Sequence, residues 1–184
     1  LGQVDLELGY YYRIVVKGET LKPRSYVDWL LDIYRDFLER LDLSGKSVAL
    51  KGVNLTVLRT KTFTARYVSR IVVGGLQAGA IEDPAALAEA AEVVQRLMPH
   101  ILAERAQNAM HLDFNARLKQ LAESFGHRYF DLNPAFEAED PERRIPVIAE
   151  QFIPAGFDHH LADSLHVRRL HYEGAGRVFG LGGA

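Results

Sequence analysis

The residues of this chain best suited to chemistry lie close together near its C-terminal end. Asp158, His159 and His160 are followed by Asp163, Ser164, Leu165 and His166, then by His171. Four of the seven histidines of the 184-residue sequence fall within positions 159 to 171. A histidine beside an aspartate is the pair that activates a hydroxyl nucleophile: the imidazole takes the proton, and the carboxylate fixes its tautomer and stabilises the imidazolium. Two versions are present, Asp158 with His159 or His160, and Asp163 with His166. The plainer alternative is a solvated loop in which Asp158 caps a helix and the histidines face water. A metal site is a third way to read the cluster, since His159 and His166 would share a helix face. However, there is no His-Glu-x-x-His sequence and no cysteine to complete it, so no metal is expected.

A second group stands at the other end. Gly2-Gln3-Val4-Asp5, with Arg13 beyond, reads as a strand end where a glycine N–H could face an oxyanion. A strand terminus with a surface carboxylate is the ordinary reading. A third group is Phe114-Asn115 with Leu118 and Leu121, then His127 to Leu132. There Asp131 is either a site residue at a strand end or a turn-former before Asn133-Pro134. Gly74 to Gly79 invites a nucleotide-binding reading, but no Gly-Lys-Ser/Thr follows it.

The elements that must position these groups follow from periodicity. Leu1 to Leu8 alternates apolar and polar, and Tyr10 to Val16 is aromatic and β-branched, so a strand is expected. Val27, Leu30, Leu31, Tyr34, Phe37, Leu38 and Leu41 recur at helical spacing and predict a helix over 25–43, capped by Ser25 or Asp28. A strand is expected over 46–53. A long helical stretch follows from Asp83-Pro84 to about Phe125, with a break near His111 and a stop at Gly126. The next strand is 127–132. The last helix runs over 161–179, with Leu161, Leu165, Tyr172, Ala175 and Phe179 on one face and weakened by Gly174 and Gly176. Strands alternating with helices predict βαβ units and a parallel sheet, whose sites lie at the carboxyl ends of the strands.

Composition bounds the function. The chain is 48% apolar and 25% charged with a net charge of −2, which fits a single folded domain with no strong field for nucleic acid or an anionic membrane. No apolar run reaches the roughly 18 residues a bilayer span needs. The absence of cysteine excludes disulfides and thiol catalysis and fits a reducing compartment, so a cytoplasmic setting is expected. The sequence opens on Leu1, inside what reads as a strand, and the expectation is a piece of a longer protein or a processed form.

In their order along the chain, these groups resemble the C-terminal two-thirds of the SGNH-hydrolase (GDSL-like) superfamily. Gly2-Gln3-Val4-Asp5 is similar to that family's Gly-x-Asn-Asp block, and more so to the Gly-Glu-Ile-Asp variant followed by arginine in the GSCFA-type branch. Phe114-Asn115, Phe130-Asp131-Leu132 and Asp163-Ser164-Leu165-His166 stand where the family has a helix with an asparagine, a strand ending in Asp-Leu, and a late Asp-x-x-His. The resemblance implies a three-layer α/β/α fold with a parallel, flavodoxin-like sheet, here lacking its first strand. It also implies an ester hydrolase or O-acyl transferase acting on acylated glycans or similar esters. In that mechanism His160, His159 or His166 is the base, Asp158 or Asp163 its orienting carboxylate, and Gly2, Asp5 and Arg13 the oxyanion and substrate side. Asp163/His166 has the family's spacing; the Asp158 loop, placed before a full-length helix, is preferred.

The chain departs from the family at two points. None of Ser25, Ser44, Ser47, Ser69, Ser124 and Ser164 sits in a Gly-Asp-Ser block, and Val4 stands in place of the oxyanion asparagine. The nucleophile is therefore expected upstream of Leu1. The alternative is a non-catalytic glycan-binding or scaffolding module on a decayed hydrolase fold. The expected partner is an ester-bearing small molecule or glycan, with no cofactor. A missing first strand would leave an open edge and promote self-association.

Overall fold

The structure, a computed structural model, describes residues 3–15, 17–55, 92, 95–134 and 164–180. Along them run α1 (Gln3–Val15), α2 (Pro23–Arg40), β1 (Ala49–Lys51), α3 (Glu104–Ser124), β2 (Arg128–Phe130) and α4 (Ser164–Phe179), with a short 3-10 turn at Met98–His100. It is a mixed α/β arrangement: helices around a two-stranded parallel sheet. No helix of the described residues is long and apolar enough to cross a membrane.

The opening of the chain is helical, which corrects the expected strand. The buried residues are Leu6, Tyr10, Tyr11, Ile14 and Val15, a stripe on one helical face rather than every second residue. The tyrosines favour strands in isolation, but burying this stripe against α2 and α3 outweighs that bias. Tyr26 of α2 donates its hydroxyl to the carbonyl of Asp5, and Tyr10 donates to the carbonyl of Leu21 at 3.3 Å.

The amphipathic stripe of α2 buries Tyr26, Val27, Leu30, Leu31 and Leu38. Phe37 and Leu41, expected on the same face, are 48% and 41% exposed because they lie on its rim. Neither Ser25 nor Asp28 caps the helix. Lys22 holds the cap position without a side-chain bond, and Pro23 opens the first turn with its fixed φ. Asp28 pairs instead with Arg117 of α3, tying the two helices together.

A glycine turn precedes each strand: Gly45 has φ +71° in the segment between α2, which ends at Arg40, and β1, and Gly126, just after α3, has φ +69° before β2. Left-handed backbone is costly for any residue with a Cβ, so glycine sets both turns. The strands pair in register as Ala49 with Arg128, Leu50 with Tyr129 and Lys51 with Phe130. They are shorter than the expected 46–53 and 127–132 because the backbone ladder ends at the bond from Gly52 N–H to Phe130 O (2.9 Å). Gly52 is pressed by the Tyr129 hydroxyl and the Asn115 amide, which leave no room for a Cβ.

The expected break near His111 is absent: α3 runs unbroken from Glu104 to Ser124. Gln107, His111 and Asn115 are spaced by four and buried on the same face as Met110, Phe114 and Leu118. The chain does change direction ahead of α3, at the 3-10 turn containing Pro99.

α3 descends to the start of β2 through the Gly126 turn, so its first half lies toward the carboxyl ends of the strands. α4 has the same sense. Arg128, at the start of β2, donates to Val178 O and lies 5.8 Å from the Phe179 ring, near the end of α4. Gly174, earlier in α4, meets the end of β2; a Cβ there would stand 3.1 Å from Leu132 and 3.2 Å from Phe130. Rising numbers in β2 thus meet falling numbers in α4, and the helix is antiparallel to the strand. The inward face of α4 is set by Leu170 and Gly174, not by Tyr172, which is 73% exposed.

Candidate functional site

The carboxyl edge of the sheet is built from four short pieces: the exit of β1 (residues 51–55), the exit of β2 (131–133), the first half of α3 and the middle of α1. Past Gly52 the backbone of β1 has no strand partner among the described residues, and side-chain amides take over. Asn115 Oδ1 accepts from Val53 N–H at 2.8 Å, and its Nδ2 donates back to Val53 O at 2.8 Å. Asn133 Nδ2 donates to the same carbonyl at 3.0 Å, and Asn133 Oδ1 accepts from Leu55 N–H at 2.8 Å. Both asparagines are buried, so an unmade bond here would carry its full desolvation cost.

A second chain of polar groups runs beneath this edge and has a single direction. His111 Nδ1 lies 3.0 Å from the carbonyl of Asn54, which can only accept, so Nδ1 carries the proton. Nε2 is then the acceptor for Gln107 Nε2–H at 3.1 Å. Gln107 Oε1 in turn accepts from the Tyr11 hydroxyl at 3.3 Å, and Tyr11 accepts from Leu102 N–H at 3.0 Å. His111 is fully buried, and burial pushes its pKa down to about 4 against the milder upward pull of the Asn54 bond. It is a neutral structural imidazole that locks α1, α3 and the β1 exit to one another.

The groups left facing the edge are Lys51, Asp131 and Asn54. Lys51 Nζ donates to Gly52 O at 2.9 Å and to Asn54 Oδ1 at 3.2 Å. Burial draws its pKa down, and the Asp131 charge opposes that shift. Asp131 Oδ1 accepts from Asn133 N–H at 2.9 Å and from Asn133 Nδ2 at 2.7 Å, the turn-forming role foreseen for it. Tyr129 is shifted well up by burial, with the Asp131 charge adding to the effect.

The residues singled out from the sequence are distributed as follows. Gly2, Asp158, His159, His160 and Asp163 lie outside the described residues, as do the predicted elements over 56–91 and 135–163. His166 is in the first turn of α4, at the end of that helix directed toward the carboxyl edge. Asp5 and Arg13 lie on α1, not at a strand end. The guanidinium of Arg13 is engaged by Glu19 at 2.6 Å and stacks 3.8 Å from the Trp29 ring centre.

Lys51, Asn54, His111 and Asn133 were not singled out from the sequence. A signal existed for His111: Gln107, His111 and Asn115 interrupt an apolar stripe every fourth residue, the mark of polar side chains aimed inward. An open groove of about 300 Å³ lies between α2 and α3, lined by Arg35, Arg117, Gln120 and Ser124. It lies toward the amino ends of the strands, and its arginines are paired with Asp32 and Asp28. No group of three or more His, Asp or Glu side chains converges among the described residues. No family model, curated protein or solved structure matches this chain.

Proposed function

We propose that this chain is part of an ester hydrolase or O-acyl transferase that acts on acylated glycans or similar esters. The observation that carries the reading is the antiparallel course of α4 along β2. It turns the start of the helix, with His166 in its first turn, toward the carboxyl side of a parallel sheet. This is the side where open α/β sheets bind ligands. Successive residues of β2 turn to opposite sides, Tyr129 to Gly52 and Asn115 and Phe130 to Gly174. That alternation supports a sheet covered on both faces, the three-layer flavodoxin-like arrangement.

In the proposed reaction a serine supplied from outside these residues attacks the ester carbonyl. His160, or His166, takes the hydroxyl proton, and Asp158, or Asp163, holds the imidazole. As the tetrahedral intermediate collapses, the C–O bond to the alcohol breaks and the imidazolium returns the proton to the leaving oxygen. Water then cleaves the acyl-enzyme in hydrolysis, and an acceptor hydroxyl does so in transfer.

The test uses protein expressed from the whole reading frame that encodes this chain, exposed to a fluorophosphonate probe and to p-nitrophenyl acetate. A labelled serine and measurable turnover are expected. A folded protein that takes no label and hydrolyses no ester sinks the proposal. One observation favours the second reading, a glycan-binding or scaffolding module: Asn115, Asn133 and His111 are all occupied by backbone groups rather than held open for a substrate. Retention on an acylated glycan without turnover would be its outcome.

A further inference from the structure

Gln107 is fully buried on α3, and its amide has one accepting end and one donating end that can only turn over together. The accepting end, Oε1, is held by the Tyr11 hydroxyl of α1 at 3.3 Å. The donating end is thereby turned to His111 Nε2 at 3.1 Å, and His111 Nδ1–H is given to the carbonyl of Asn54 at 3.0 Å. A second proton on His111 would need an acceptor at Nε2. Gln107 supplies one by turning over, which brings its N–H₂ onto the Tyr11 oxygen. That oxygen accepts from Leu102 N–H at 3.0 Å and has a second lone pair for the amide, but its own O–H must then swing off Gln107. The charge of the imidazole and the direction of the phenol are linked through one amide.

We propose that Tyr11, Gln107 and His111 form a two-position proton switch, in which acid moves the grip of α3 from α1 to the exit of β1. In the neutral setting Gln107 holds the Tyr11 hydroxyl. In the charged setting the imidazolium tightens on Asn54 O, because a charge-assisted bond is the stronger one, and the Tyr11 O–H leaves Gln107. The neighbouring elements bring their own charges toward this chain. From the β1 exit, the Lys51 ammonium bonds to Asn54 Oδ1 and opposes a second positive charge beside it. From β2 and its exit come Tyr129 and Asp131, whose charge acts on Lys51. On α2, Asp28 and Asp32 are engaged by Arg117 and Arg35. Burial of His111 puts the changeover in the acid range. The switch needs no ester and no serine, so it stands apart from the hydrolase reading.

The experiment is an NMR titration of the full chain with labelled histidine and tyrosine. In the parent, His111 is expected as the Nδ1–H tautomer, with a midpoint below that of exposed His100. The ring signals of Tyr11 should move with the His111 midpoint, and those of Tyr10 should not. Tyr11→Phe frees the amide to turn and should raise the His111 midpoint by about one pH unit, roughly the worth of one neutral hydrogen bond. Tyr10→Phe removes a hydroxyl bonded to Leu21 O instead and should leave the midpoint in place. Gln107→Glu accepts from both neighbours and should lift the His111 midpoint above that of His100. An Nε2–H tautomer in the parent overturns the switch without any variant. So does a His111 midpoint that stays put in Tyr11→Phe or Gln107→Glu, or one that rises equally in Tyr10→Phe.

Discussion

Asn115 and Val53, 62 residues apart, are joined by two hydrogen bonds of 2.8 Å, side-chain amide to backbone amide in both directions. The asparagine pairs with the backbone of residue 53 as a neighbouring strand would and holds the exit of β1. Asn115→Ala removes the partner of the Val53 N–H and one of two donors to its carbonyl. A loss of about 2–3 kcal/mol is expected, from one buried donor left unmade and a weakened acceptor. Urea denaturation checks it: the midpoint should fall with the slope unchanged, and an unshifted midpoint would show that water replaces the amide at no cost.

His111 makes stability depend on pH with a definite sign. Its folded-state pKa is pushed down to about 4, below the ordinary value of 6.5, so the unfolded chain takes up the proton first. The contribution is therefore fully present above pH 6.5 and is lost as pH falls from there toward 4, by up to about 3 kcal/mol. Protonation would also set Nε2–H against the Gln107 amide N–H₂. Urea melts at pH 7.5 and 4.5 should differ by most of this amount in the parent and by distinctly less in His111→Gln.

Gly52 and Tyr129 form a steric pair. A Cβ on residue 52 meets the Tyr129 hydroxyl, with Asn115 at 3.1 Å on another side. Gly52→Ala should cost about 1–3 kcal/mol, the usual penalty for overpacking. Tyr129→Phe removes the obstructing oxygen, so the double variant should recover part of the loss. A thermodynamic cycle with no coupling between the two sites would contradict the contact.

Under the proposed hydrolase mechanism, mutation separates the two Asp–His pairs in protein made from the whole reading frame. One of His160→Asn and His166→Asn should lower kcat by about 10²–10⁴-fold, the usual contribution of a general base. The other should change it by a few-fold. The preference for the Asp158 pair makes His160 the sensitive position, and equal loss in both variants would argue for a structural cluster instead. Melting curves of both variants control for unfolding.

Several features were settled by local sequence. The stripe of α2 repeats every three to four residues over five turns, and no alternative conformation buries it. The turn at Gly45 and the stop at Gly126 follow from steric limits on φ that hold in any fold. The strands around Leu50 and Tyr129 were legible as short apolar runs beyond those glycines, and α/β character followed from their alternation with helices. What tertiary structure decided is where a short-range signal was ambiguous or a long-range partner was needed. Gln3 to Val15 is compatible with both strand and helix, and its packing against Tyr26 and Gln107 chose the helix. Gln107, His111 and Asn115 look like a helix defect until the backbone of residues 53 and 54 is set opposite them, where they become its hydrogen-bond partners. Lys51 is one lysine among others in the sequence; only the parallel pairing of β1 with β2 puts its ammonium half-buried at the carboxyl edge, bonded to Gly52 O and Asn54 Oδ1 and within the influence of the Asp131 charge. Periodicity specifies which face of an element is buried, but which polar group meets which across 60 to 80 residues is fixed by chain topology alone.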